Sequence, residues 1–131
     1  MKLEIDDPRF LNAPRRVVVF GSRSLRDEKS CFDLLDEFHR KLTARVVYIS
    51  GAAKHGPDRH VINWCILRNY DYVEFPADWD HVGMSAGYIR NADMAEHATI
   101  GLGFWDGVSK GTRHMRELLA KKKIPSKFYR F

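Results

Sequence analysis

Hydroxyls, cations and glycines gather at three points of this 131-residue chain, each at the end of a β-like apolar run. Gly21-Ser22-Arg23-Ser24 follows the run 16–20. Ser50-Gly51-Ala52-Ala53-Lys54-His55-Gly56-Pro57-Asp58 follows 46–49, and Asp106-Gly107-Val108-Ser109-Lys110-Gly111-Thr112 follows 100–105. Small residues let backbone N–H groups approach a ligand, and a helix that starts there adds partial positive charge. The chemistry these turns offer is anion binding, phosphate above all. In the second turn Ser50 and Lys54 are candidate donors to phosphate, with Gly51, Ala52 and Gly56 shaping the backbone. Asp58 reads two ways, as a cap on the following helix or as an acceptor for a ribose hydroxyl. The turn lacks the Gly-Lys-Ser/Thr ending of a Walker motif. In the third turn Ser109, Lys110, Gly111 and Thr112 put two hydroxyls, a cation and a free backbone at the mouth of the last helix. A hydroxyl cap with a flexible glycine accounts for the same residues.

Other side chains fall near these turns. Arg90-Asn91 stands at the start of a helix shortly after Gly83 and Gly87, where an arginine can clamp phosphate; a surface ion pair with Asp93 or Glu96 is its plain alternative. Trp79 and Trp105 lie at loop edges, where an indole stacks on a base or simply packs on a neighbouring helix. Asp78, Asp80 and Asp106 are the carboxylates best placed to act as acid or base. The six histidines show no His-x-x-x-His spacing, so no metal site is expected.

The elements that position these residues follow from periodicity. Apolar strands alternate with helical patterns at about 27–42, 58–69, 86–97 and 110–122, with further strands at 72–75 and 127–129. The pattern predicts an α/β domain: three layers around a mainly parallel sheet of about five strands, with ligands beyond the strands' carboxyl ends. Residues 1–14 read as an N-terminal arm, 15–131 as the domain, and 77–83 as a polar loop. The composition, 44% hydrophobic and 30% charged, is that of a globular protein. No apolar stretch reaches membrane-spanning length and no signal peptide is evident, so a cytoplasmic location is expected. Cys31 and Cys65 lie in helical stretches and read as buried free thiols, outside any zinc or redox motif. The net charge of +5 is concentrated in Lys121, Lys122, Lys123, Lys127 and Arg130, a solvated helix end or a nucleic-acid contact.

Taken in order, five segments resemble a known family. They are Gly21-Ser22-Arg23, 50–58, Phe75-Pro76-Ala77-Asp78-Trp79, Gly87-Tyr88-Ile89-Arg90-Asn91-Ala92-Asp93-Met94, and 104–115. Together they resemble the YspA/YpsA-related group of the SLOG superfamily, which also holds the DNA-processing protein A (Smf) domain and the LOG phosphoribohydrolases. The resemblance implies a Rossmann-like domain whose second and third turns line a nucleotide pocket. It also implies that Arg90, with Met94, matches the helix carrying the LOG enzymes' catalytic arginine. The position of their catalytic glutamate holds Met115. Asp106 is the replacement carboxylate named here, with Asp78 and Glu117 behind it. Three functions stay open: binding of a nucleotide or nucleotide-derived ligand in a sensing role, with or without hydrolysis; phosphoribohydrolase cleavage of a nucleoside monophosphate; and single-stranded DNA binding. No dissociable cofactor and no membrane partner is implied, and self-association is expected.

Overall fold

Val17 and Val19 point to one side of the first strand and Val18 and Phe20 to the other, and all four are buried. A strand with apolar residues on both faces belongs at the centre of a sheet covered on both sides, and that is where it lies. The computed structural model describes residues 1–130. Strand β1 (Arg15–Gly21) is followed by α2 (Glu28–Arg40), β2 (Val46–Ser50), α3 (Pro57–Arg68) and β3 (Asp71–Glu74), after the short α1 (Pro8–Leu11). Then come α4 (Trp79–Val82), a 3-10 turn (Gly83–Ser85), α5 (Ala86–His97), β4 (Ile100–Trp105), α6 (Lys110–Lys121) and β5 (Ser126–Arg130). The five strands are all parallel, in the order β3-β2-β1-β4-β5. The expected three-layer α/β domain is the one observed.

Two cores separate the layers. On one face Leu35 of α2 and Val61, Trp64 and Cys65 of α3 pack with Tyr48, Leu102 and Phe104. On the other, Met94 of α5 and Met115 and Leu119 of α6 pack with Phe20, Ile49 and Phe75. Caps set the helix starts: Asp27 Oδ1 accepts the Ser30 N–H at 3.1 Å, and Gly56, at φ 81°, turns the chain into Pro57 at the head of α3. The two thiols are buried and free, and burial pushes Cys31 up to about 12.

Two segments differ from the sequence expectation. Residues 1–14 are packed onto the domain: Lys2 bridges to Tyr72 beside the β3 edge, and Phe10, fully buried, meets Phe75 and His97. Their prolines and mixed polarity hide three core residues, Leu3, Phe10 and Ala13. The loop expected at 77–83 contains helix α4, started by Asp78, whose Oδ1 accepts the His81 N–H at 3.3 Å. Among the described residues no helix is long and apolar enough to cross a membrane.

The strand order reverses at β1: the chain steps outward to β2 and β3, then returns to β4 on the other side. The helices that follow these strands diverge to opposite faces, which opens a crevice at the strands' carboxyl ends. The three glycine-bearing turns leave β1, β2 and β4, three adjacent strands, so all three border that crevice.

Candidate functional site

A pocket of about 320 Å³ lies at this reversal, lined by Gly21 and Arg23 of the first turn, Ala53 and Asp58 of the second, and Ser109, Gly111 and Thr112 of the third. Arg90, Asn91 and Met94 of α5 and Met115 of α6 complete it. Two hollows adjoin: one of about 370 Å³ toward Lys54, His55 and Trp79, and one of about 310 Å³ toward Trp79, Met84 and Tyr88. Arg23 and Arg90 line all three, so the whole is a branched crevice around two guanidinium groups.

Arg90 stands one turn into α5, so its side chain approaches the second turn from the opposite layer. Nη1 donates to the Gly51 carbonyl at 2.5 Å and Nε to Asn91 Oδ1 at 3.1 Å. These use two of the five N–H bonds that a guanidinium offers and leave three for a ligand. The fit demands glycine at 51: a Cβ there would come within 2.5 Å of Arg90 Nη1 and 2.9 Å of Asp58 Oδ2. Neither surface ion pair weighed as the alternative for Arg90, with Asp93 or Glu96, forms. Arg23 is exposed at the mouth and makes no ion pair among the described residues.

Asp58 is the second residue of α3 and only 8% exposed. It does not cap its own helix; Oδ2 accepts the Ala53 N–H at 3.3 Å, across the turn. Burial pushes its carboxyl above the usual range, while the positive field of Arg90 draws it back down. Burial likewise lowers Arg90, and Asp58 offsets part of that.

The first turn of α6 faces the pocket. Ser109 is its N-cap, accepting the Thr112 N–H on Oγ at 3.4 Å, and Thr112 Oγ1 donates to the same oxygen at 3.1 Å. A Cβ at Gly111 would meet nothing within 4 Å, so the helix start is open to a ligand. Asn91 ties α5 to this turn, its Nδ2 donating to the Gly111 carbonyl at 3.4 Å and lying 3.2 Å from His114 Nδ1. Burial lowers the His114 pKa, which favours a neutral ring able to accept that bond.

Several residues singled out in the sequence do other work. Ser50 is fully buried; its Oγ donates to the Asp58 carbonyl at 2.6 Å and accepts the Ala52 N–H at 3.1 Å, so the hydroxyl holds the turn together and offers phosphate nothing. Ser22, also buried, accepts the Asp106 N–H at 3.0 Å. Asp106 accepts the Val108 and Ser109 N–H groups, each at 2.9 Å, and the Ser24 hydroxyl at 3.0 Å. Those bonds hold its carboxyl down at about 2, and it does not line the pocket. The role of acid or base expected for Asp106 therefore gives way to that of a clasp. Trp105 is turned away from the pocket, its Nε1 donating to the Ser109 carbonyl at 3.2 Å and its ring under Arg116, 5.3 Å from the centroid. Asp78 caps α4 and pairs with His81 at 2.8 Å. Trp79, 47% exposed, does border the crevice, packed against Gly87. Lys54 is exposed on the same rim, and Lys110 is exposed at the start of α6.

Sequence reasoning missed Tyr88 and Met84, exposed apolar walls of the outer branch. Exposure was the missing signal, since both resemble core residues in a helical pattern. The basic cluster at 121–123 ends α6, about 18 Å of helix from the crevice at 1.5 Å per residue.

Comparison with known proteins supplies a family and a fold. The family model described as YAcAr: YspA, cpYpsA-related SLOG family matches residues 15–81. The gene 61 protein of Mycobacterium phage D29 is 36% identical over 118 residues, which span 85% of this chain and 93% of that protein. A solved structure of DNA processing protein A from Helicobacter pylori, described by its single-stranded DNA binding mode, superposes with a TM-score of 0.65. It covers 93% of this chain and 68% of that one at 16% identity, a likeness of fold.

Proposed function

The chain belongs to the YspA, cpYpsA-related SLOG family, and from that premise we propose that its crevice binds a nucleotide or nucleotide-derived ligand and holds it without cutting it. The observation that carries this reading is the convergence of Arg23, Arg90 and the open first turn of α6 on one pocket. Two cations and a helix N-terminus favour a phosphate. A volume of about 320 Å³ falls within the roughly 300–1,000 Å³ of small-molecule sites. The branch walled by Trp79 and Tyr88 offers aromatic surface for a base.

Binding without cleavage is favoured by what lines the pocket. Breaking an N-glycosidic bond builds positive charge on the ribose, and a carboxylate stabilises that charge or positions water. Met115, where the LOG enzymes carry their glutamate, does neither, and the Asp106 carboxyl is engaged with backbone N–H groups. The carboxylate that does line the pocket, Asp58, sits on α3 beside Arg90 and not at the position of Met115 on α6. The role that fits is that of a sensor or regulator which responds to the ligand.

Calorimetric titration with the four ribonucleoside 5′-monophosphates tests the reading, paired with chromatography for released base. Saturable binding that Arg90→Ala abolishes, with no base released, is the expected result. Release of free base dependent on Arg90 would replace it with the phosphoribohydrolase function.

A second reading, single-stranded DNA binding, has one observation of its own: Arg23, Lys54 and the exposed Trp79 form a basic, aromatic rim on the crevice. The fold neighbour adds an associated activity. Titration with oligo-dT at two salt concentrations separates the two, because backbone contacts give a steep salt slope. Tight, salt-sensitive DNA binding without mononucleotide binding would favour this second function.

A further inference from the structure

Asp58 carries more capacity than the protein uses. The side chain is 8% exposed, yet it receives a single hydrogen bond, the long one from Ala53, on Oδ2. Oδ1 takes none among the described residues, and the side chain lines the pocket. An ionised carboxylate accepts about four hydrogen bonds, and the unpartnered Oδ1 is not sealed in the core but reached from the pocket. Its position is fixed by the Ser50 hydroxyl, which donates to the Asp58 carbonyl, and by Pro57 and Gly56 at the head of α3. A rigid, buried, under-used acceptor facing a ligand pocket calls for a donor on the ligand.

The neighbours say which donor. Arg23 and Arg90 make the crevice positive, which disfavours an ammonium group and favours neutral hydroxyls beside an anion. Arg90 and Asp58 both crowd the α-carbon of Gly51, where a Cβ would come within 2.5 Å of Arg90 Nη1 and 2.9 Å of Asp58 Oδ2, so the group next to Asp58 is the one next to the phosphate. In a nucleotide that group is the sugar. The aromatic surface suited to a base lies on the outer branch, at Trp79 and Tyr88. Asp106, the other carboxylate considered for this task, is committed to Val108, Ser109 and Ser24.

We infer that Asp58 reads the sugar, its carboxylate accepting both hydroxyls of a vicinal diol, so that the crevice selects ribonucleotides over deoxyribonucleotides. This rests on the nucleotide-binding function proposed above and names its ligand class. Two adjacent hydroxyls match the two carboxylate oxygens, and under a bound ligand that keeps water out, losing either leaves a charged acceptor short of a donor.

The test is calorimetric titration of the full chain with AMP, 2′-deoxy-AMP and 3′-deoxy-AMP, repeated with the best-binding base if that is not adenine. Each deoxy analogue is expected to bind about tenfold or more weakly than its parent, the effect of one hydrogen bond to a charged group. Asp58→Asn, nearly isosteric, is expected to narrow that ratio at least threefold, with Asp58→Ala as the second variant. The wild-type ratio decides whether the crevice selects ribonucleotides even if both variants fold poorly, and the ratio in Asp58→Asn decides whether Asp58 makes that selection. Deoxy analogues within twofold of their parents, or a ratio unchanged in Asp58→Asn, would overturn the assignment and leave nucleotide binding standing. Absence of binding by every 5′-monophosphate would bring down both.

Discussion

Replacing Gly51 by alanine is the sharpest test of how the crevice is built, because the added methyl has nowhere to go. Its carbon would stand 2.5 Å from Arg90 Nη1, 2.9 Å from Arg90 Cζ and 2.9 Å from Asp58 Oδ2. Ordinary contacts need about 3.5 Å or more, so the guanidinium must retreat by roughly 1 Å. It then gives up its bond to the Gly51 carbonyl, and its partner Asn91 is strained. Loss of a hydrogen bond from a charged group costs about 1.5–3 kcal/mol. The stiffer unfolded chain returns about 0.4–1 kcal/mol. A net destabilisation of about 0.5–2.5 kcal/mol remains, or about 2–10 °C in melting temperature for a chain of this size. Thermal unfolding by circular dichroism measures it. Titration with the nucleotide that binds best should show at least a tenfold loss, since the displaced group is the proposed phosphate clamp. Gly111→Ala is the control: its methyl meets nothing within 4 Å and should leave the melting temperature unchanged or slightly higher. A Gly51→Ala protein that melts with the wild type and binds as tightly would refute the placement of Arg90.

Three further outcomes are expected. Phe10→Ala should destabilise the protein by about 3–5 kcal/mol in urea unfolding, because the ring is fully buried against Phe75 and His97; a change below 1 kcal/mol would make residues 1–14 a dispensable arm. Asp106 is held at about 2 in the folded chain against the 3.8 ordinary for an aspartate. Its stabilisation is therefore complete above about pH 4 and is lost as pH falls toward 2. Wild type should lose melting temperature over that window more steeply than Asp106→Asn, and parallel curves would contradict the clasp. Arg90→Lys should lose about tenfold or more in ligand affinity, since an ammonium cannot hold the Gly51 carbonyl and Asn91 together while offering a fork to phosphate; calorimetry returning wild-type affinity would make charge alone sufficient.

The alternation of Val17, Val18, Val19 and Phe20 announces a central strand, and the glycine-bearing turns announce which sheet edge matters, because both signals are local. What stayed illegible depends on contacts between distant segments. Gly51 and Arg90 are 39 residues apart, and their mutual fit is set by two helices on opposite layers. Phe10 looks like part of a polar lead-in until Phe75 is beside it. The final roles of Asp58 and Asp106 are not legible in the sequence, where each is an aspartate in a strand-end turn. They part only in the fold, where Asp106 meets three donors and Asp58 one.

That division reaches across the whole crevice. The hydroxyls and carboxylates that advertise a site in the sequence are mostly the ones that build it: Ser22 holds the Asp106 backbone, Ser50 the Asp58 backbone, Ser109 the start of α6. What they leave for a ligand is a different set: two guanidiniums, one under-used carboxylate and the open end of a helix. The opposed charges sit side by side at the pocket floor and spread outward through Arg23, so the field is positive overall but has one negative point. A simple anion would satisfy the cations and leave Asp58 unpaired and repelled. A simple polyol would do the reverse. The arrangement is complementary to a molecule that carries a phosphate and neighbouring hydroxyl donors a few ångströms apart, with an apolar plate beyond them for Trp79 and Tyr88. A ribonucleotide has those three parts in that order, so the proposed ligand class rests on the charge pattern more than on the glycine turns.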